Sequence, residues 1–178
     1  MAQDIWTAVW ERLRAGKHVA VISPGTLPSE PNDLWVLRVN CEFPGTSGGA
    51  LDAARRKVAQ LLGEELWPAE PGQAPRETGL RHRFLGEFPG QPMDAVLVEA
   101  CNRLADRTNG RAVLAFEAID AADDATVDTL VQIFKRPGWL RLPLLLTVRG
   151  TPQGLVAELI YLMCHEDGDA AVMANPTT

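Results

Sequence analysis

Cysteine is scarce in this chain, with three thiols in 178 residues. Cys41, Cys101 and Cys164 are spread so widely that they form neither a disulfide framework nor a zinc knuckle. They are expected to be reduced and mostly buried. His165 follows Cys164 directly in a helical pattern, where adjacent side chains diverge, so the pair does not supply a thiol with its base. Histidine is as sparse: His18, His82 and His165 are dispersed, and no metal-ligand spacing links them. Positive charge is also in deficit, with a net charge of -6 and a pI near 5.1. That balance favours solubility and argues against nucleic acid as a partner. Long hydrophobic runs are missing too. The longest, Ala112 to Phe116 and Leu142 to Val148, are too short to span a bilayer, and the first residues lack a basic start followed by an apolar signal core. A cytoplasmic protein with no membrane partner is expected.

What is present is an ordinary globular composition, 46% hydrophobic and 22% charged, in a chain of one-domain size. Residues 1–178 are expected to share one core. Ile5, Trp6, Val9, Trp10 and Leu13 fall on one helical stripe that Gly16 ends. His18 to Ser23 and Leu34 to Cys41 read as buried strands, with Pro24, Pro28 and Pro31 between them. Leu51, Ala54, Val58, Leu61 and Leu62 set a helix from Ala50 to Leu62 that Thr46 or Ser47 would cap. Residues 68–92 form an irregular Pro- and Gly-rich excursion around Arg81, His82 and Arg83. Helical spacing resumes from Met93 to Arg107 and stops at Asn109-Gly110. A strand from Arg111 to Glu117, a helix carrying Val127, Leu130, Val131 and Phe134, a strand from Pro143 to Val148, a helix from Gly154 to Cys164 and a strand near Ala170 to Met173 complete the alternation. Alternating strands and helices of this kind build a mainly parallel sheet covered by helices on both faces.

The run Arg111-Ala-Val-Leu-Ala-Phe-Glu117-Ala-Ile-Asp120-Ala-Ala-Asp123, followed by a helix and then by Leu144-Leu-Leu-Thr-Val-Arg149-Gly-Thr-Pro152, resembles the Walker B and sensor 1 segments of AAA+ and STAND-type ATPases, especially bacterial regulatory ones. The resemblance covers most of the chain from His18 onward. It implies a three-layer α/β fold like a P-loop NTPase core. In such enzymes two acids end the Walker B strand, one for the magnesium shell and one to polarise the attacking water. The matching positions here are Glu117 and Ala118, and a methyl group orients no water. Asp120 and Asp123 read as turn and N-cap residues. Arg149 stands where STAND proteins often carry a sensor arginine.

The larger departure lies after the first strand, where a G-x-x-x-x-G-K-[ST] loop would wrap phosphates. The chain instead has Ser23-Pro-Gly-Thr-Leu-Pro-Ser-Glu-Pro-Asn-Asp33, which contains no lysine, and its prolines remove amide donors and forbid a normal helix. Gly16-Lys17 precedes the strand, at the wrong end of the sheet. Ten extended residues reach about 33 Å, enough to return along a strand and cross two neighbours. The family's strand order is therefore open to the chain without its first helix. The alternative is a wide antiparallel hairpin of the first two strands.

These readings lead to a catalytically degenerate NTPase-like domain, a pseudo-ATPase that acts as an adaptor, scaffold or regulatory module by binding another protein or itself. The alternative is a nucleoside-triphosphate hydrolase with a non-standard site. No cofactor is expected; if ATP and magnesium bind at all, Glu117, Asp120 and Arg149 would hold them. Gly45-Thr-Ser-Gly-Gly49 is a second, weaker place for an anion, before a helix. Trp6 and Trp10 are the candidates for a partner surface, provided that their helix does not pack inward.

Overall fold

Apolar runs bounded by Gly and Pro set the elements, and the computed structural model describes them over residues 5–22, 27–46, 48–63, 93–167 and 172–174. Five strands are present there: β1 (Val19–Ile22), β2 (Trp35–Asn40), β3 (Ala112–Glu117), β4 (Leu144–Val148) and β5 (Val172–Ala174). Five α-helices accompany them: α1 (Ile5–Arg14), α2 (Gly49–Leu62), α3 (Met93–Arg107), α4 (Asp124–Phe134) and α5 (Gly154–Asp167). A 3-10 turn, Ile119–Ala121, joins β3 to α4. The expected excursion at 68–92 lies outside the described residues, as do Ser23 to Thr26 and Ser47.

All strand pairs are parallel, in the order β2-β3-β4-β1-β5. Two strands therefore separate β1 from β2, and the hairpin alternative is excluded. The connections β2 to β3, β3 to β4 and β4 to β5 all step in the same direction across the sheet. Right-handed crossovers that step one way put their helices on one face, and α2, α3, α4 and α5 share a core with Ala20, Val39, Leu114, Phe116, Leu144 and Leu146. The step from β1 to β2 runs the other way, so the same rule carries that connection across the opposite face. There Leu27 and Leu34 pack beside Val19, Val21, Val113, Ala115 and Leu145.

A crossover helix would normally cover that second face, but the Pro-rich connection cannot form one. The N-terminal helix α1 occupies it instead. Trp6, Val9, Trp10 and Leu13, spaced at three and four residues, all point into this core. Trp6 and Trp10 are only 8% and 7% exposed, and their rings lie 6.0 Å apart. The condition attached to them as partner-surface candidates is not met. Without that stripe, the inner side chains of β1, β3 and β4 would face water.

His18 fixes the start of β1 against β4. It is buried, accepts a hydrogen bond at Nδ1 from the Leu144 amide at 3.1 Å, and meets the Phe134 ring edge-on at 4.9 Å. Thr46 does not cap α2, and Ser47 lies outside the described residues: Gly48 stands at the N-cap without a side-chain bond, and Gly49 enters the helix with a φ of +81°. That left-handed φ favours a residue without a Cβ.

Candidate functional site at the carboxyl edge of the sheet

Ligands of parallel α/β sheets generally bind beyond the carboxyl ends of the strands. At that edge β2 ends at Asn40 and leads into Cys41 and Glu42, β3 ends at Glu117 before Ala118, and β4 ends at Val148 before Arg149. The register pairs Asn40 with Glu117 and, on the other side, Ile22 with Val148.

The structure unites Asp120 with Arg149. One Asp120 oxygen accepts the Arg149 backbone N–H and the other accepts its Nε–H, both at 3.1 Å. A third contact closes the group, because the Arg149 guanidinium also donates to the Glu42 carboxylate. Two acids thus hold one arginine, and hydrogen bonding to Asp120, the larger influence, raises the Arg149 pKa further above its ordinary value.

Glu117 does not join them. Alternation along β3 puts its side chain on the same face as Arg38 of β2, and the Arg38 guanidinium donates to it at 2.7 Å. Glu30 adds a looser contact to Arg38 at 3.9 Å. Of the three residues singled out for a nucleotide, two meet each other and the third is engaged elsewhere.

Ala118 adopts a left-handed conformation, φ 57° and ψ 54°, which costs a residue with a Cβ about 1–2 kcal/mol. The turn aims its amide at the buried Thr147 hydroxyl, which accepts it at 2.9 Å. Position 118 therefore serves as a corner in the backbone, with no side chain reaching the edge to orient a water.

The helix start at Gly45 to Gly49 is also answered from within the chain. A Cβ built on Gly49 would lie 3.3 Å from an Asp123 carboxylate oxygen. An anion arriving there would meet that carboxylate, whose same oxygen already accepts the Thr126 hydroxyl at 2.5 Å. Asp123 holds the N-cap position of α4 without making the usual side-chain bond to a backbone amide.

The field at this edge is registered by Cys41. Burial, and then the charges of Asp120, Asp123 and Glu117, push its thiol pKa up to about 12. The thiol stays protonated at neutral pH, so Cys41 is no nucleophile. Glu42, Glu117, Asp120 and Asp123 set four carboxylates against the guanidiniums of Arg38 and Arg149. Polyphosphate would enter a region whose cations already have partners and whose surplus is negative.

Arg38, Glu42 and Thr147 were not singled out from the sequence. The only signal for Arg38 was a charge inside an otherwise apolar strand pattern, and Glu42 carried none. Among the described residues, no three His, Cys, Asp or Glu side chains cluster to hold a metal, and no helix is long and apolar enough to cross a membrane. Comparison with protein-family models, curated proteins and solved structures finds no match for the chain. Its function has to be inferred from its own residues.

Proposed function

We propose that this chain is an NTPase-like α/β domain, resembling the AAA+ and STAND-type core, that lacks phosphate chemistry and works by binding protein, as an adaptor, scaffold or regulatory subunit. Two strands stand between β1 and β2, as that resemblance requires, while the sequence after β1 has neither the lysine nor the glycine pattern of a phosphate loop.

The observation that carries the reading is the closure of the carboxyl edge. Arg149, the one candidate for contacting a terminal phosphate, is held by Asp120 and Glu42. Binding a nucleotide there would require breaking those contacts and desolvating the two carboxylates beside the incoming phosphates, in a sequence that carries no phosphate-loop motif to compensate. Phosphoryl transfer also needs a positioned water, and Ala118 offers no group for it.

A module of this kind engages its partner whether or not nucleotide is present. Affinity capture from the native host, done in parallel with nucleotide removed and with ATP and magnesium added, tests this. The expected result is the same stoichiometric complex in both samples. A complex that forms only with ATP and magnesium would overturn the proposal in favour of a nucleotide-gated domain.

A further inference from the structure

β2 is an outer strand, and among the described residues no strand lies beyond it. The Trp35 amide donates to the Arg111 carbonyl at 2.8 Å and the Cys41 amide to the Glu117 carbonyl at 2.9 Å, so the odd-numbered residues point their backbone groups at β3. Alternation then turns the N–H and C=O groups of Val36, Arg38 and Asn40 outward. Beside this row runs a groove of about 690 Å³ whose lining includes Glu30, Trp35, Leu37, Arg38, Lys57 and Leu61. Trp35 is 56% exposed and Leu61 43%, an apolar pair flanking an open row of backbone donors and acceptors.

Natural sheets generally blunt such an edge with inward charges, proline or a covering element. Here Arg38, the one charge within β2, is turned to Glu117 and Glu30, leaving the backbone row open among the described residues. The rim also carries Lys57, which makes no ion pair among the described residues. We propose that the outer edge of β2 takes an extended segment of a partner protein as an added strand, with an acidic side chain of that segment meeting Lys57.

Charge decides for a foreign segment over a second copy. Antiparallel pairing of two β2 strands about their middle would set Arg38 of one copy opposite or diagonal to Arg38 of the other, and like charges so placed are destabilising. A foreign segment with no cation opposite Arg38 avoids that repulsion, and an acid placed toward Lys57 rather than Glu30 gains an opposite charge. Main-chain bonds to Val36, Arg38 and Asn40 would give affinity, while Trp35 and Leu61 would select alternate side chains.

Because this rests on reading the domain as a protein-binding module, the test carries a separate control for that reading. The whole chain is screened against a random heptapeptide phage library, and a selected peptide is synthesised for titration. The expected peptides alternate apolar residues and carry an acid. Val36→Pro removes an outward donor without touching the β3 ladder, so it should weaken the peptide by at least about tenfold while far-UV circular dichroism stays unchanged. Lys57→Glu should shift selection to basic peptides, and Phe43→Ala, which alters an exposed residue outside the groove, should change nothing. If Val36→Pro does not fold, Leu61→Asp carries the same expectation of lost binding. No enriched peptide, undiminished binding by the edge variants, or a concentration-dependent dimer that Val36→Pro dissolves would overturn the proposal. A magnesium-ATP titration of the same sample separates the two levels: with no nucleotide bound, a negative screen removes the edge proposal alone.

Discussion

Replacing Trp10 by alanine asks whether α1 substitutes for the missing crossover helix. Trp10 is 7% exposed and packs with Val9 and Leu13 against inner side chains of β1, β3 and β4. A buried tryptophan withdraws about 150–250 Å² from water, which at about 25 cal/mol per Å² is roughly 4–6 kcal/mol of transfer. The alanine and partial collapse of the cavity recover some of this, leaving a cost of about 3–5 kcal/mol. For a chain of this size each kcal/mol lowers the melting midpoint by roughly 2–4 °C, so Trp10→Ala should lose about 6–20 °C. Trp35→Ala is the internal comparison. At 56% exposure on an edge strand, it should cost under about 1 kcal/mol. Urea unfolding followed by far-UV circular dichroism avoids the fluorescence change that accompanies loss of a tryptophan. If Trp10→Ala were as mild as Trp35→Ala, α1 would not be holding the second face of the sheet, and its tryptophans would return as partner-surface candidates.

Two further expectations concern ionisable groups. The Cys41 thiol is raised to about 12 by burial and by neighbouring carboxylates, and the Cys101 thiol to about 12 by burial. At pH 8 in the folded protein the Cys41 and Cys101 thiols should therefore not react with a thiol reagent, whereas all three cysteines of the chain should react after denaturation. Fast reaction of either Cys41 or Cys101 in the folded protein would contradict the packing. Since the folded pKa lies above the ordinary value of 9.0, stability from these thiols is complete below that pH and lost as pH rises toward 12. Asp52 behaves in the opposite sense. Burial alone would raise its pKa, but hydrogen bonds from Arg55 and Arg56 outweigh that and hold it below its ordinary value of 3.8. Asp52→Asn should cost of order 1 kcal/mol at pH 7 after solvent screening. The gap to wild type should close as pH falls below 3.8 and Asp52 itself becomes protonated. A gap that persists in acid would show that charge is not its source.

The fold was readable where one side chain pattern allowed one element. The stripe of Trp6, Val9, Trp10 and Leu13 announced α1, and the apolar runs at β3 and β4 announced buried strands. What covered α1 was not readable, since an apolar stripe packs equally well on a sheet or on a partner. The run from Leu34 to Cys41 was read as a buried strand, yet β2 is an outer strand with Trp35 exposed. Periodicity records which faces are apolar and is silent about which edge has a neighbour. The strand order became clear only when pairing put β3 and β4 between β1 and β2. The site was harder still. Glu117 stands out in the sequence as the acid that ends a buried strand, but its partner Arg38 is 79 positions away, and the contact follows from parallel register. Glu42 meets Arg149 across 107 positions because parallel strands bring the segments after β2 and β4 to one edge of the sheet. The left-handed turn at Ala118 had no signal, because alanine carries no preference for it.

The closed carboxyl edge is tested most directly by isothermal titration of the intact chain with ATP, with magnesium present. A site whose arginines are already engaged, in a sequence without a phosphate-loop motif, should give no heat of binding up to millimolar nucleotide, a free energy weaker than about 4 kcal/mol. Saturable binding tighter than about 10 μM, roughly 7 kcal/mol, would mean that Arg149 leaves Asp120 and Glu42 for phosphate. That result would contradict the reading of this domain as one without nucleotide chemistry.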